Sequence, residues 1–351
     1  MSGSNNLSLE KKIRLVSIAR ISFLTLAEKI NLFKNLDSFE ELALMSLDDL
    51  RKFSGRELKS ALWNGKDNLK FAQNEVRIIE AKDIGLLQYE DFDYPALLRE
   101  TSNAPFVLFY RGNKDCLCER SVSVVGTRMI TPDGKQAANR FAYDAVMDGC
   151  NVISGLAKGV DGESHLGAVN ASFDFYEKSG VFSEAKTVAV LPCGIDTVFP
   201  SCNRSLAEKI LKTGGCLVSE YVPGTPAASY RFVQRNRIIA SLSPATVVIQ
   251  APNGSGALIT VDFALEYNRD VMFHEACFSE NAEFVRENIK KRQQIELSLG
   301  EISVSKAERT IESYLDQGAP LISDYKDYVR CMKEAPGLRS VKNQQLMLFE
   351  I

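Results

Sequence analysis

Over the first eighty residues the apolar positions recur at helical spacing. Leu7, Leu9, Ile13, Leu15, Val16, Ile18 and Ile21 open the pattern, and the stretch Phe23–Phe33 continues it. Ser38-Phe-Glu-Glu and Ser46-Leu-Asp-Asp are capping-box sequences that start short helices. Residues 1–82 therefore predict a small helical domain. Within it, Ser54-Gly55-Arg56 reads either as the corner of a DNA-binding helical hairpin or as an ordinary interhelical turn. The character changes at residues 86–112, where Ala104–Gly112 predicts a short strand ending in a turn. Tyr89, Phe92 and Tyr94 in that lead-in are expected to pack against the following sheet.

From 121 to 277 short apolar runs alternate with amphipathic ones. Strands are predicted at Val122–Val125, Asn151–Ser154, Thr187–Leu191, Cys216–Glu220, Thr246–Gln250 and Asp270–Phe273. Helical patterns fill 135–148, 160–178, 203–213, 232–241 and 257–267. Nearly continuous apolar strands separated by helices mean a doubly wound, mostly parallel α/β sheet. Residues 83–277 form that domain. Beyond it, Ser279–Lys306 is highly charged and reads as an exposed helix or an inserted segment. Residues 311–321 and 323–332 read as short closing helices. The tail Asn343–Ile351 turns from polar to apolar, and docks on its own domain or on a partner.

Ligands of such sheets bind at the carboxyl ends of the strands, and here those ends are distinctive. The first strand runs into Gly126-Thr127-Arg128, and the second ends Ser154-Gly155-Leu-Ala-Lys158-Gly-Val-Asp161. The third is followed by Gly194-Ile-Asp196 and Phe199-Pro-Ser-Cys-Asn203, the fourth by Glu220. Arg235-Asn236-Arg237 precedes the fifth, which runs into Asn253-Gly-Ser255-Gly256. A strand, a glycine turn and a helix bring backbone N–H groups and a helix dipole to one spot, which suits a phosphate. Arg128, Lys158, Arg235 and Arg237 gathered on one rim suit anions without an acid–base pair. Asp161, Asp196 and Glu220 are expected to pair with arginines or cap helices rather than hold a metal. No Gly-x-Gly-x-x-Gly follows the first strand and no Walker lysine is present, which disfavours a dinucleotide cofactor or a Walker-type nucleotide site. His165 is expected on a helix surface or in packing.

Composition narrows the class. The chain has 351 residues, 45% hydrophobic and 25% charged, with a net charge of −3. That is an ordinary globular composition, in which only a local basic site would attract nucleic acid. Eight scattered cysteines and only two histidines argue for reduced thiols and against zinc. No apolar run approaches membrane-spanning length and the N-terminus lacks an apolar export segment, so a cytoplasmic location with no membrane contact is expected.

Val124-Val-Gly-Thr-Arg128, Ser154–Asp161 with His165, Ala189–Asp196, Phe199–Asn203, Ser219-Glu220, Arg235–Ser243 and Ser255–Thr260 together resemble the DNA-processing protein A (DprA/Smf) family. The resemblance spans about 86–277. It implies an extended Rossmann-like fold and a dimeric, non-enzymatic protein without cofactor. Such a protein binds and protects single-stranded DNA during natural transformation and recombination and helps load the RecA recombinase. By motif, Arg128 and Lys158 would contact phosphates, with Arg235, Asn236 and Arg237 lining the same pocket. Gly126, Thr127, Gly155, Ser255 and Gly256 would give backbone approach, and Ser154 and Asn203 belong to the same motifs. The chain departs from the family at the 172–185 and 279–306 segments and at His274-Glu-Ala-Cys277. The segment 278–351 is expected to be the charged insertion, a closing helical segment and a tail, and a winged helix of the sort found in many members is not expected in the last 30 residues. The alternative is a nucleotide hydrolase of the lysine-decarboxylase-like (LOG) group, whose Pro-Gly-Gly-x-Gly-Thr-x-x-Glu signature is matched only by Pro252–Thr260, without the glutamate.

Overall fold

The computed structural model describes residues 7–58 and 62–334. Five helices open the chain, α1 (Leu9–Ala19), α2 (Leu26–Asn35), α3 (Phe39–Leu44), α4 (Leu47–Ser54) and α5 (Gly65–Ala81). Reciprocal capping boxes start α2 at Thr25 and α4 at Ser46. Ser38 caps only one way, accepting from the Glu41 amide. Gly55 closes α4 in the left-handed conformation at φ +68°, where a side chain would be strained. It is a helix stop, and residues 59–61 after it lie outside the described residues.

The sheet has nine strands, β1 (Gly85–Gln88), β2 (Val107–Gly112), β3 (Ser121–Val125), β4 (Asn151–Ser154), β5 (Thr187–Val190), β6 (Cys216–Ser219), β7 (Ala245–Val248), β8 (Asp270–His274) and β9 (Leu321–Ile322). Their order is β1-β2-β6-β5-β4-β3-β7-β8-β9. From β6 to β9 all pairings are parallel. The mostly parallel α/β sheet read from the sequence is thus present. Its two edges hold more than was foreseen: the strand expected within 104–112 is β2, but its partner β1 was not expected, nor was β9. The lead-in contributes a pair of antiparallel strands, with β2 laid against β6 so that Phe109 faces Ser219. Leu321–Ile322, placed in or beside a closing helix by the sequence pattern, instead adds a strand parallel to β8.

The remaining helices are α6 (Ala96–Arg99), α7 (Pro132–Met147), α8 (Val160–Ser179), α9 (Arg204–Lys212), α10 (Ser229–Ser241), α11 (Gly256–Glu266), α12 (Glu280–Ser298), α13 (Val304–Glu308), α14 (Ile311–Asp316) and α15 (Tyr325–Lys333). Alternate strand residues face opposite layers. Val122, Val124, Val152 and Val247 pack under Phe141 and Ala145 of α7 and Tyr325 and Tyr328 of α15. Val125, Val188, Val190 and Val248 pack under Ile238 and Ile239 of α10, Leu258 and Val261 of α11 and Tyr314 of α14. The N-terminal helices bury Leu15, Ile18, Leu32 and Val76 against Leu86, Phe109, Ala189 and Leu217. Tyr94 packs as expected, its hydroxyl donating to the Pro105 carbonyl at 2.8 Å, whereas Phe92 stands fully exposed. The charged stretch after 277 is largely the helix α12. The expected tail 343–351 lies outside the described residues. Among them no helix is long and apolar enough to cross a membrane.

Candidate functional site

The chain travels outward from β3 through β4 and β5 to β6, then returns to the other side of β3 to lay down β7. Loops leaving β3 and β7 therefore diverge, and a crevice opens above the strand ends. It is a cleft of about 420 Å³, lined by Gly126–Met129, Asp161, Phe232, Asn236, Ser255, Gly256 and their neighbours.

The cleft's walls are fixed by backbone packing. A Cβ on Gly126 would stand 2.4 Å from a Val160 methyl and 2.7 Å from the Gln250 carbonyl. The Gln250 carbonyl in turn accepts from the Thr127 amide at 2.7 Å. Its side-chain amide donates to Thr131 Oγ1 at 2.7 Å and to the Ala276 carbonyl at 2.8 Å. Gln250 thus ties the β3 turn to the start of α7 and to the end of β8. Gly159, at φ +77°, lies so close that a Cβ would be 2.2 Å from the Thr127 carbonyl. The first turns of α8, α10 and α11 all reach the cleft, through Asp161, Ser229 and Ser255–Gly256. The positive ends of their helix dipoles give it a positive character. Ser255 Oγ is buried there with no hydrogen-bond partner, and Gly256 at the mouth has open space where a Cβ would be.

Arg128 is exposed on the rim, its guanidinium 4.7 Å from the Phe232 ring centroid in a cation–π contact. Arg235 is different. It is 3% exposed, and its Nη1 donates to the Gly155 carbonyl at 2.6 Å and to the Val190 carbonyl. Buried Asp161 faces it. Burial pushes the Asp161 carboxyl up and the Arg235 guanidinium down to about 10, while the attraction between the two opposes both changes. This is a floor of compensated charge beneath the cleft.

Of the residues expected at one rim, the cleft gathers Gly126, Thr127, Arg128, Asn236, Ser255 and Gly256, with Arg235 as its floor. Asn236 Nδ2 donates to the Gly256 carbonyl at 3.1 Å and joins α10 to α11. Lys158 is exposed on the neighbouring turn, whose Gly159 packs on the Arg128 backbone. The others have different surroundings. Ser154 is fully buried and its hydroxyl donates to the Val124 carbonyl at 2.6 Å. Gly155 makes room for Arg235, since a Cβ there would stand 2.0 Å from its Nη1. Asn203 Nδ2 donates to the Leu156 and Ala157 carbonyls at 2.9 and 3.1 Å and holds the β4–α8 loop. Arg237 points to the opposite side of α10, paired with Glu220.

Of the strand-end carboxylates, Asp161 and Glu220 lie with arginines as expected, whereas Asp196 bonds a loop amide. Asp161 faces Arg235, Asp196 Oδ1 accepts from the Gly224 amide at 2.8 Å, and Glu220 pairs with Arg237. Among the described residues no three His, Cys, Asp or Glu side chains come together as metal ligands would. His165 is fully buried, its Nδ1 2.7 Å from Thr187 Oγ1, and burial pushes its pKa down to about 3. It packs and does not reach the cleft. The sequence reading missed Phe232 and Gln250. Helical spacing held the signal for the first, because Ser229, Phe232 and Asn236 fall on one face of α10.

A family model described as DNA recombination-mediator protein A matches residues 85–305. The chain is 29% identical to Protein Smf of Borreliella burgdorferi over 266 residues, which is 76% of this chain and 80% of that one. It spans only 56% to 58% of three further Smf and DprA relatives. The fold is that of the X-ray structure of DNA processing protein A from Streptococcus pneumoniae, with a TM-score of 0.63, 24% identity, and coverage of 91% of this chain and 96% of that one. It is also similar to DNA processing protein A from Helicobacter pylori, a protein whose single-stranded DNA binding mode that structure addresses. There the TM-score is 0.53 and the identity 21%, over 71% of this chain and 95% of that one.

Proposed function

This chain belongs to the DNA recombination-mediator protein A (DprA/Smf) family, and on that premise we propose that its cleft holds the phosphate backbone of single-stranded DNA. The observation that carries the reading is Arg128, an exposed guanidinium stacked on Phe232 at the edge of a cleft onto which three helices open. Arg128 and Lys158 supply mobile positive charge. The positive ends of the α8, α10 and α11 dipoles add a fixed field. The ring of Phe232 offers a face to a base, as stacking platforms in single-strand binding do. A duplex, with both backbones held apart and its bases paired, offers neither a free base nor a narrow enough backbone.

In this reading the protein holds and protects strands rather than cutting them. The strand-end carboxylates are engaged by Arg235, the Gly224 amide and Arg237, and each would have to leave a partner to serve a metal ion or a water. The family resemblance extends the proposal to a cytoplasmic homodimer that passes its strand to the RecA recombinase in DNA uptake and recombination.

The test is a titration of labelled single- and double-stranded oligonucleotides at several salt concentrations. Arg128→Ala and Lys158→Ala should each weaken single-strand binding by about 1–3 kcal/mol. Each should also lower the salt slope by about 0.7, the value for one phosphate contact on a single strand. A folded double variant with wild-type affinity and slope removes the cleft from DNA binding.

A further inference from the structure

On the opposite flank of α10 lies a second depression, a groove of about 590 Å³. Its far wall is the N-terminal helical region, through Arg20, Thr25 and Lys29, and its floor is the Ser102–Val107 segment leading into β2. The sequence pattern pointed to no groove here; of its lining, only Arg237 was expected to meet DNA, and that in the other cleft.

α10 divides the two depressions residue by residue. Ser229, Phe232, Val233 and Asn236 face the cleft already described, while Tyr230, Arg231, Gln234 and Arg237 face the groove. Only the width of one helix separates them, about 10–12 Å with side chains. The groove side carries the chemistry of a nucleic-acid surface. Tyr230 is 56% exposed. The Arg231 guanidinium sits between two rings, 5.1 Å from the centroid of Tyr230 and 5.3 Å from that of Tyr221. Arg20 and Arg237 are neutralised by Glu75 and Glu220. Arg231 and Lys29 are hydrogen-bonded only to carbonyls, those of Pro226 and Ala19. Arg231, with no paired carboxylate and flanked by exposed tyrosine, and Lys29, which only the more distant Glu220 attracts, leave the groove net positive beside an aromatic surface. Burial has already driven the Lys29 ammonium down to about 8, so an anion nearby would relieve a group that the fold holds at a cost.

We propose that this groove is a second contact site for the same single strand. A strand anchored by its phosphates at Arg128 passes over the N-terminal end of α10 and sets a base on Tyr230 and a phosphate on Arg231 and Lys29. The proposal rests on the cleft reading given above. It adds the N-terminal helical region to the DNA-binding surface and makes affinity depend on strand length beyond what the cleft alone takes up.

The experiment compares oligothymidylates of about 6 and about 16 nucleotides, which span the range of single-strand site sizes. It uses the full chain, Arg128→Ala and Tyr230→Ala/Arg231→Ala. Tyr230 and Arg231 lie at the surface, so loss of fold is not expected, and thermal unfolding checks it. The groove predicts that Tyr230→Ala/Arg231→Ala loses about tenfold or more for the longer oligonucleotide and nothing for the shorter one, with a salt slope reduced by about 0.7 for the longer one only. Lys29→Gln should reproduce the length-dependent loss in smaller measure. Equal losses at both lengths, or none at either, overturn the groove. Arg128→Ala separates the two readings, because it should weaken both lengths if the cleft binds DNA. If Arg128→Ala weakens both and Tyr230→Ala/Arg231→Ala changes neither, the groove fails and the cleft stands. If Arg128→Ala weakens neither, the cleft fails and the groove with it.

Discussion

Replacing Gly155 by alanine tests whether the glycine after β4 serves a ligand or the fold. A Cβ there would lie 2.0 Å from Nη1, 2.4 Å from Cζ and 2.5 Å from Nη2 of Arg235, so the guanidinium has to move. Moving it breaks the bonds to the Gly155 and Val190 carbonyls, where a charged donor contributes roughly 1.5–3 kcal/mol each. It also weakens the attraction that offsets the burial of Asp161. These losses share one cause and do not add, so the expected destabilisation is on the order of 1.5–3 kcal/mol. Gly256→Ala is the control, because no atom lies within 4 Å of its Cβ position and surface changes of that kind stay within about 0.5 kcal/mol. Guanidinium denaturation of both variants, with oligonucleotide affinity measured where each is folded, decides the matter. A Gly155→Ala protein as stable as wild type but impaired in binding would refute the structural role argued here. It would restore the glycine to the ligand.

Two further outcomes follow from buried polar groups. His165 is held neutral, with its pKa near 3 against an ordinary 6.5, so the unfolded chain takes up the proton first as pH falls. Its contribution is complete above about 6.5 and is lost toward 3, so between about pH 7.5 and about pH 5.5 wild type should lose about 1.4 kcal/mol more than His165→Gln. An unchanged difference between the two proteins across that range contradicts the assignment. Gln293 of α12 is buried, and its Nε2 donates to the Asn253 carbonyl at 2.9 Å. Gln293→Ala should loosen the Pro252–Ser255 loop and weaken oligonucleotide binding several-fold with the salt slope unchanged, since no phosphate-bound cation is removed; a changed slope contradicts this.

Much of the architecture could be read from the chain because parallel strands buried on both faces are apolar throughout and their helices are periodic. β3 to β8 were legible for that reason. β2 was foreseen as a short strand within Ala104–Gly112, but its place in the sheet was not, nor was β1, because whether a short apolar run joins an edge depends on what lies beside it, here β6. At the cleft, Gly126, Arg128 and Ser255 were found from the strand–glycine–helix order. Arg235 and Arg237 were misjudged as a pair. Two residues apart on a helix they point about 200° apart, at 3.6 residues per turn, so they cannot line one wall. The structure sends the first under the cleft and the second to the far flank. Ser154 and Gly155 read as ligand groups because glycine and serine at a strand end look alike whether they meet a phosphate or a buried guanidinium.

The neighbouring positions of β3 and β7 have a consequence for how the molecule comes into being. Ser123 lies against Thr246, yet β4, β5 and β6 are made between them, and the walls of the cleft come from segments as distant as Gly126 and Thr260. Pairings this remote along the chain are slow to form, because a long loop must close before any contact rewards it. A ribosome that has reached β6 has exposed Arg128 and Lys158 but not the helices that complete their surroundings. The cleft is therefore completed late and all at once, when α11 docks beside β7, and chains broken off before Thr260 should carry the basic residues without the walls around them.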